Sequence, residues 1–232
     1  MRSTDVPLIR SLPLFRDMAD AHFDMLMRGA YVQSFPPQIE LITEGDPSDF
    51  LHVVIDGSVE LVAGWNGRET VMETMRPIST FILAASIRNA PHLMSARTLE
   101  KTRIILVPSV DVRTVFDLDK AFANAVVTEL AQAYRAVVKN TKDLKLRTSI
   151  ERLANYLLRK YHLAGEPASF DLQIEKRRLA SFLGMTPENL SRSIKSLQAY
   201  GVEIDGSTVR IKNAADLAGL AKPTRLIDDS AY

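Results

Sequence analysis

Apolar residues change their period twice along this chain, and each period predicts a different kind of element. Residues 18–28 carry them at helical spacing. From 31 to 108 the pattern breaks into short β-prone segments, 31–35, 39–42, 50–55, 58–62, 70–75, 94–99 and 103–107. Turn signals punctuate them, notably Glu44-Gly45-Asp46, Asp56-Gly57 and Asn66-Gly67. Many short strands so spaced predict a small barrel or β-roll.

From residue 109 the period becomes helical again. Val126, Leu130, Ala133, Val137, Asn140 and Leu144 stand at intervals of 4, 3, 4, 3 and 4, a seam like that of a coiled coil. A second stripe, Phe122, Val127, Tyr134 and Val138, lies on another face and is expected to pack on the protein's own barrel. A helix with two apolar faces needs two partners. The seam is therefore expected to meet its copy in a homodimer, with Asn140 setting register; the alternative is that both faces pack within one subunit.

Thr148-Ser149-Ile150-Glu151 has the form of a capping box, so the long helix should end near 146–148 and a new one begin there. Leu153, Tyr156, Leu157 and Leu158 give that new helix a core face. A short strand is expected at 171–174, a hairpin at 202–211 turning on Asp205-Gly206, a last helix at 214–220 and a mobile tail from 222. These features predict an α+β chain in three parts: a sensor β-roll over 1–118, a dimerisation helix and hinge over 119–147, and a winged helix-turn-helix over 148–232.

Residues 175–197, EKRRLASFLGMTPENLSRSIKSL, hold the densest chemistry. Leu179, Ala180 and Leu183 fall at helical spacing, Gly184 suits a turn, and Thr186-Pro187-Glu188 opens a second helix with an N-cap, a first-turn Pro and an acid at the positive dipole end. Leu190, Ile194 and Leu197 make its buried stripe. The remaining face offers Thr186, Glu188, Asn189, Ser191, Arg192 and Lys195. That is the equipment of a DNA recognition helix, since Arg donates bidentately to guanine and Glu accepts from a cytosine amino group.

Charge supports the same assignment weakly. The net charge is only +1, but residues 143–213 hold 12 Lys and Arg against 8 Asp and Glu, whereas residues 1–142 hold 15 against 17. Zero cysteines exclude disulfides, thiol switches and thiolate-ligated iron-sulfur clusters. With no run of 18 apolar residues and Asp5 and Arg10 near the N-terminus, neither a membrane span nor a secretory signal is expected, and the protein is expected in the cytoplasm.

A β-roll, long helix, hinge and winged helix-turn-helix in this order resemble the CRP/FNR family of bacterial transcription regulators over nearly the whole chain. The most specific local match is Glu188-Asn189-Leu190-Ser191-Arg192, similar to the E-x-x-S-R pattern of the FNR branch. The resemblance implies that Glu188, Ser191 and Arg192 read bases of a palindrome with TTG and CAA arms, and that double-stranded DNA, a second copy of the chain and RNA polymerase are partners. The sensor half departs from the cyclic-nucleotide pattern. Where cyclic-AMP receptors place Gly-Glu and Arg-Ser, this chain has Leu83-Ala84 and Met94-Ser95, and Met94 cannot pair with a phosphate. Arg97 stands three residues out of register. Phe81, Ile82, Leu83, His92, Met94 and Ser95 are instead expected to line a pocket for an apolar or planar effector, with haem as a candidate cofactor and His92 its candidate ligand. This segment is similar to that of nitric-oxide-responsive denitrification regulators. Of the other histidines, His22 is expected to face solvent, His52 sits on a strand and His162 follows a helix end.

Two further readings stand beside the effector-gated regulator: the same fold with no ligand, controlled by abundance, and a cyclic-nucleotide-type module regulating another activity. No nucleophile, base and orienting group cluster, and no phosphate-binding Gly loop is visible, so an enzyme is not expected.

Overall fold

The computed structural model describes residues 5–172 and 174–228, which divide into two compact units, Met1–Ala133 and Tyr134–Tyr232. The division falls within a helix, so that one element contributes to both.

The first unit opens on α1 (Asp5–Arg10), α2 (Pro13–Arg16) and α3 (Asp20–Gly29), followed by β1 (Tyr31–Phe35), β2 (Glu40–Ile42), β3 (Phe50–Asp56), β4 (Val59–Trp65), β5 (Arg68–Met75) and β6 (Ser79–Phe81). Helix α4 (Leu83–Arg88), strands β7 (Ser95–Thr98) and β8 (Thr102–Pro108), and helices α5 (Ser109–Leu118) and α6 (Lys120–Leu146) complete the order. Two antiparallel four-stranded sheets form the roll, β1-β8-β3-β6 and β2-β7-β4-β5. Asn66-Gly67 makes the two-residue connection of β4 to β5, both with positive φ (49° and 73°), the conformation of the hairpin turn that matches strand twist.

Strands β3 and β8 read as almost unbroken apolar runs because both of their faces are buried. Val54, Ile104 and Leu106 point into the roll with Ile42, Leu61, Phe81 and Ala96. Leu51, Val53, Ile105 and Val107 point the other way, into a second core capped by helices through Ile9, Phe15, Phe23, Leu26, Val112 and Phe122. By this alternation His52 belongs to the inside of the roll, where its ring stacks on Phe81 at 4.9 Å between centroids.

Asp119 roots the long helix. Its Oδ1 accepts from the Phe122 N–H at 2.9 Å, while its Oδ2 accepts from the Ala19 N–H at 2.8 Å and meets His22 Nδ1 at 2.9 Å. Burial alone would raise this carboxyl, but these hydrogen bonds hold its pKa at about 2. The expectation that His22 faces solvent is corrected accordingly: its ring is turned onto Asp119.

The second unit continues from the end of α6 into α7 (Ser149–Leu163), β9 (Phe170–Asp171), α8 (Lys176–Phe182), α9 (Pro187–Leu197), a single 3-10 turn at Gln198–Tyr200, β10 (Val202–Asp205), β11 (Thr208–Ile211), α10 (Ala214–Ala221) and α11 (Arg225–Asp228). A three-stranded sheet in the order β10-β11-β9 flanks a core of Leu153, Leu157, Leu179, Leu190, Leu197 and Val209. Three expectations are corrected here. The strand placed at 171–174 is the pair Phe170–Asp171, set by pairing with β11, and Gln173 lies outside the described residues. His162 lies inside α7 rather than beyond it. The tail expected to be mobile from 222 holds helix α11, anchored through Asp228; residues 229–232 lie outside the described residues.

Candidate nucleic-acid interface and effector cavity

The helix-turn-helix is assembled from local signals. Thr148 and Glu151 form the expected capping box: the Thr148 hydroxyl accepts from the Glu151 N–H at 3.4 Å and Glu151 Oε2 accepts from the Thr148 N–H at 2.8 Å. Helix α8 ends in a paired closure, with Met185 N–H donating to the Ala180 carbonyl and Gly184 N–H to that of Ser181, both at 2.9 Å. That closure needs the positive φ of Gly184 (+61°), and a Cβ there would lie 2.6 Å from Cδ2 of Leu144. Position 184 is therefore glycine for two separate reasons.

On α9, Leu190, Ser193 and Leu197 are buried and Ile194 is half-buried, leaving Thr186, Glu188, Asn189, Ser191, Arg192 and Lys195 together on the exposed face. Some of these side chains already have work inside the protein. Thr186 caps the helix by accepting from the Asn189 N–H at 3.2 Å, and Asn189 Nδ2 donates to Ser149 Oγ of α7 at 3.1 Å. Ser191 Oγ donates back to the Pro187 carbonyl at 2.9 Å, leaving its oxygen lone pairs as acceptors. Its own backbone N–H, the Thr186 hydroxyl and Arg192 one turn on hold Glu188 below the usual carboxylate range. Glu188 and Arg192 thus present one anion and one cation on adjacent turns.

Several residues that matter here went unsuspected in the sequence. Lys176 and Arg177 stand exposed at the start of α8, and Arg210 stands exposed on the wing strand β11. Arg152 is buried in α7 with no carboxylate partner among the described residues. Its Nε donates to the Leu183 carbonyl at 2.8 Å, Nη2 to that of Gly184 at 3.3 Å and Nη1 to that of Arg147 at 2.7 Å. The guanidinium satisfies three carbonyls at helix ends that would otherwise lack partners.

The seam expected on α6 is exposed except at its N-terminal end. Val126 is fully buried in the helix-capped core beside Phe122, and Leu130 is partly buried against it. Val127, Tyr134 and Val137 are 60%, 70% and 62% exposed. The exposed apolar side chains along this part of the helix are Val127, Tyr134, Val137, Val138 and Leu144, with half-buried Leu130 beside them. Of the expected seam, Val126 is thus buried and Leu130 half-buried, whereas Ala133, Val137, Asn140 and Leu144 are exposed. Of the stripe expected to pack on the barrel, Phe122 does so, whereas Val127, Tyr134 and Val138 are exposed.

In the sensor half, a cavity of about 320 Å³ opens between β2, β3 and the loops after β2 and α4, lined by Ile42, Asp46, Asp49, Phe50, His52 and His92 with Leu41 and Pro47. The loops are joined by Gly45 N–H to the His92 carbonyl (2.8 Å) and His92 N–H to that of Asp46 (2.9 Å). Both histidines are 5% exposed, and Nδ1 of each lacks a hydrogen-bond partner among the described residues. Burial, reinforced by His92, pushes His52 down to about 4; burial also lowers His92, against the opposing pull of Asp46 and Asp49.

Of the residues expected to line an effector pocket, only His92 lines this cavity. Phe81 packs in the roll interior, Leu83 in the helix-capped core, and Ile82 and Met94 against the interior cluster, while Ser95 Oγ accepts from the Glu44 N–H at 2.9 Å. Arg97 is one step along β7 from the inward Ala96 and pairs with Glu60 at 3.2 Å and Glu69 at 3.4 Å. Its charge is committed to those carboxylates. No group of three or more His, Cys, Asp or Glu among the described residues is placed to hold a metal ion, and no helix among them is long and apolar enough to cross a membrane.

Comparison with known proteins agrees with both halves. The cyclic nucleotide-binding domain family matches residues 32–119, and the Crp-like helix-turn-helix domain family matches residues 151–220. A rice (Oryza sativa subsp. japonica) potassium channel is 23% identical over 62% of this chain, which spans only 19% of the channel. A probable transcriptional regulator of Lacticaseibacillus casei is 26% identical, over 93% of this chain and 96% of its own length. The structure of FixK2 from Bradyrhizobium japonicum superposes with a TM-score of 0.68 at 21% identity, covering 84% of this chain and 98% of that one, and shows the same fold. With a cyclic-nucleotide-type β-roll followed by a Crp-like helix-turn-helix, the chain belongs to the CRP/FNR family of DNA-binding transcription regulators, a non-enzymatic class.

Proposed function

We propose that the protein acts as a homodimer that binds a palindromic operator with FNR-like TTG and CAA arms, and that a small effector in the sensor half biases this binding. The observation that carries the reading is the pairing of an exposed polar and charged face on α9 with exposed apolar side chains along α6, among them Val127, Tyr134, Val137 and Leu144. Two-fold dimers read two half-sites about one helical turn apart, so each feature supplies what the other needs. Glu188, Ser191 and Arg192 read bases, Lys195 meets phosphate, and RNA polymerase is the partner at the promoter. A cytoplasmic location goes with this role.

The cavity supports an uncharged or cationic effector rather than an anionic one. Two carboxylates and, among the described residues, no permanent cation line it, so a cyclic nucleotide's phosphate or haem's propionates would meet no counter-charge there. His92 offers an unpartnered Nδ1, yet at about 320 Å³ the space is at the low end for a ligand pocket. The residues present do not fit haem, and a nitric oxide response through haem loses its structural support with it. Calorimetry with cyclic AMP and cyclic GMP is expected to show no binding, and haem titration no Soret shift that His92→Ala removes.

Selection of bound duplexes from a random pool tests the main reading. Inverted arms about one helical turn apart are expected; enrichment of a single arm, or of no sequence, contradicts it.

A further inference from the structure

The chain beyond residue 220, where the Crp-like match ends, folds back onto the junction of α6 and α7. There Arg147 Nη1 and Nη2 donate to Asp228 Oδ1 and Oδ2 at 2.8 and 2.6 Å, and Nη1 also donates to Asp143 Oδ1 at 2.7 Å. The side chains of Arg147 and Asp228 are only 8% and 10% exposed. Asp228 is itself held, since its Oδ2 accepts from the Thr224 N–H at 2.7 Å at the start of α11.

This pair sits at one end of a longer connection. The Arg147 carbonyl accepts from Arg152, and the same guanidinium holds the Leu183 and Gly184 carbonyls, two residues before the cap of α9. Leu144, one turn before Arg147, rests where Gly184 leaves no room for a Cβ. The tail, the last turn of α6 and the turn leading into α9 are thus joined by hydrogen bonds whose geometry is fixed, because a planar guanidinium admits few arrangements. Buried ion pairs add little net stability, and in some proteins they serve instead to specify one orientation.

We propose that Asp228 is a positioning residue for DNA recognition, fixing with Arg147 the angle between the last turn of α6 and α9. Through that angle it sets the separation at which a dimer presents its two recognition helices, a step that rests on the dimer reading above. Burial would raise the Asp228 carboxyl, but Arg147 and the Thr224 N–H hold it below the usual range, so the strap stays closed throughout physiological pH.

Duplexes selected by the wild-type protein, remade with the spacer one or two base pairs longer or shorter and as isolated half-sites, supply the test. Wild type is expected to lose about tenfold or more in affinity when the spacer changes, because a rigid dimer cannot follow the rotated groove. Asp228→Asn is expected to bind the parent duplex about tenfold more weakly and to flatten the spacer preference to within about threefold, with half-site affinity unchanged. Asp228→Glu, which keeps the charge, is expected to restore part of the preference. Undiminished spacer preference in Asp228→Asn overturns the proposal, as does equal weakening on half-site and full site, which would mark a structural role only. A wild-type protein indifferent to spacer length would remove the dimer reading and this proposal together.

Discussion

The exposed face of α9 and the cavity beside β3 both gather polar side chains, and they differ in what keeping those groups free costs. Glu188, Arg192 and Lys195 stand in water above a buried stripe, so each stays hydrated until DNA arrives. His52 and His92 are buried with no hydrogen-bond partner for Nδ1 among the described residues, and a buried polar group left unsatisfied costs about 1–3 kcal/mol. A hydrated array can be kept ready at no expense in stability. A buried one persists only if the fold is stable enough to carry it, and a ligand or a proton that satisfies it changes the energy of the whole unit.

The largest effect expected from breaking this contrast is on assembly. Tyr134→Glu would place like charges in the proposed interface at a cost of several kcal/mol, so sedimentation should show monomers at concentrations where wild type is dimeric. An unchanged dimer would move the interface off this stripe. The same substitution should leave the folding of the sensor half untouched, because Tyr134 belongs to the second unit and is 70% exposed.

Next in size is the acid response of the cavity. The His52 pKa is about 4 when folded and about 6.5 when unfolded, so between those values the unfolded chain binds the extra proton. Stability is full above about pH 6.5 and falls as pH drops towards 4, by of order 3 kcal/mol from this group. His52→Phe, which keeps the ring stacked on Phe81 and removes the titration, should flatten that slope in pH-dependent denaturation. A slope unaltered by the substitution would mean that the imidazole is not the group responsible. Asp119, held at about 2, works in the same sense lower down: its contribution is present above about pH 4 and is lost as pH falls through 2.

A smaller effect is expected at the base of the DNA-reading half. Thr148→Ala removes one arm of the capping box and should lower its stability by about 1 kcal/mol in chemical denaturation, with the cavity's acid response unchanged. A loss shared equally by both halves would show that they unfold as one.

How far the sequence revealed each region follows from the range of the interactions that make it. Thr148 with Glu151, Asn66 with Gly67 and Gly184 before Thr186 act over two to four residues, and the spacing alone placed them. The stripe on α6 was legible as a stripe but not as a face, because Val126 and Val127 are the same residue and only the helix-capped core decides which is covered. His52 read as one member of an apolar strand, since nothing near it in sequence shows that Phe81 and His92 close around it. Arg152 and Asp228 were not legible because their defining partners are distant: the first answers carbonyls 31 and 32 residues away, and the second meets Arg147 across 81. The recognition face was legible because one helix carries it whole. The cavity was not, because strands and loops far apart in the chain build it.

The account's central claim is that the face of α9 reads sequence, and a panel of operators with each base pair substituted in turn tests it most directly. Arg192→Ala is expected to cost about 1–3 kcal/mol on the preferred operator and to abolish discrimination at one base position in each arm, while Lys195→Ala weakens binding to every member of the panel alike. Uniform weakening by Arg192→Ala, with the sequence preference intact at every position, would contradict the claim.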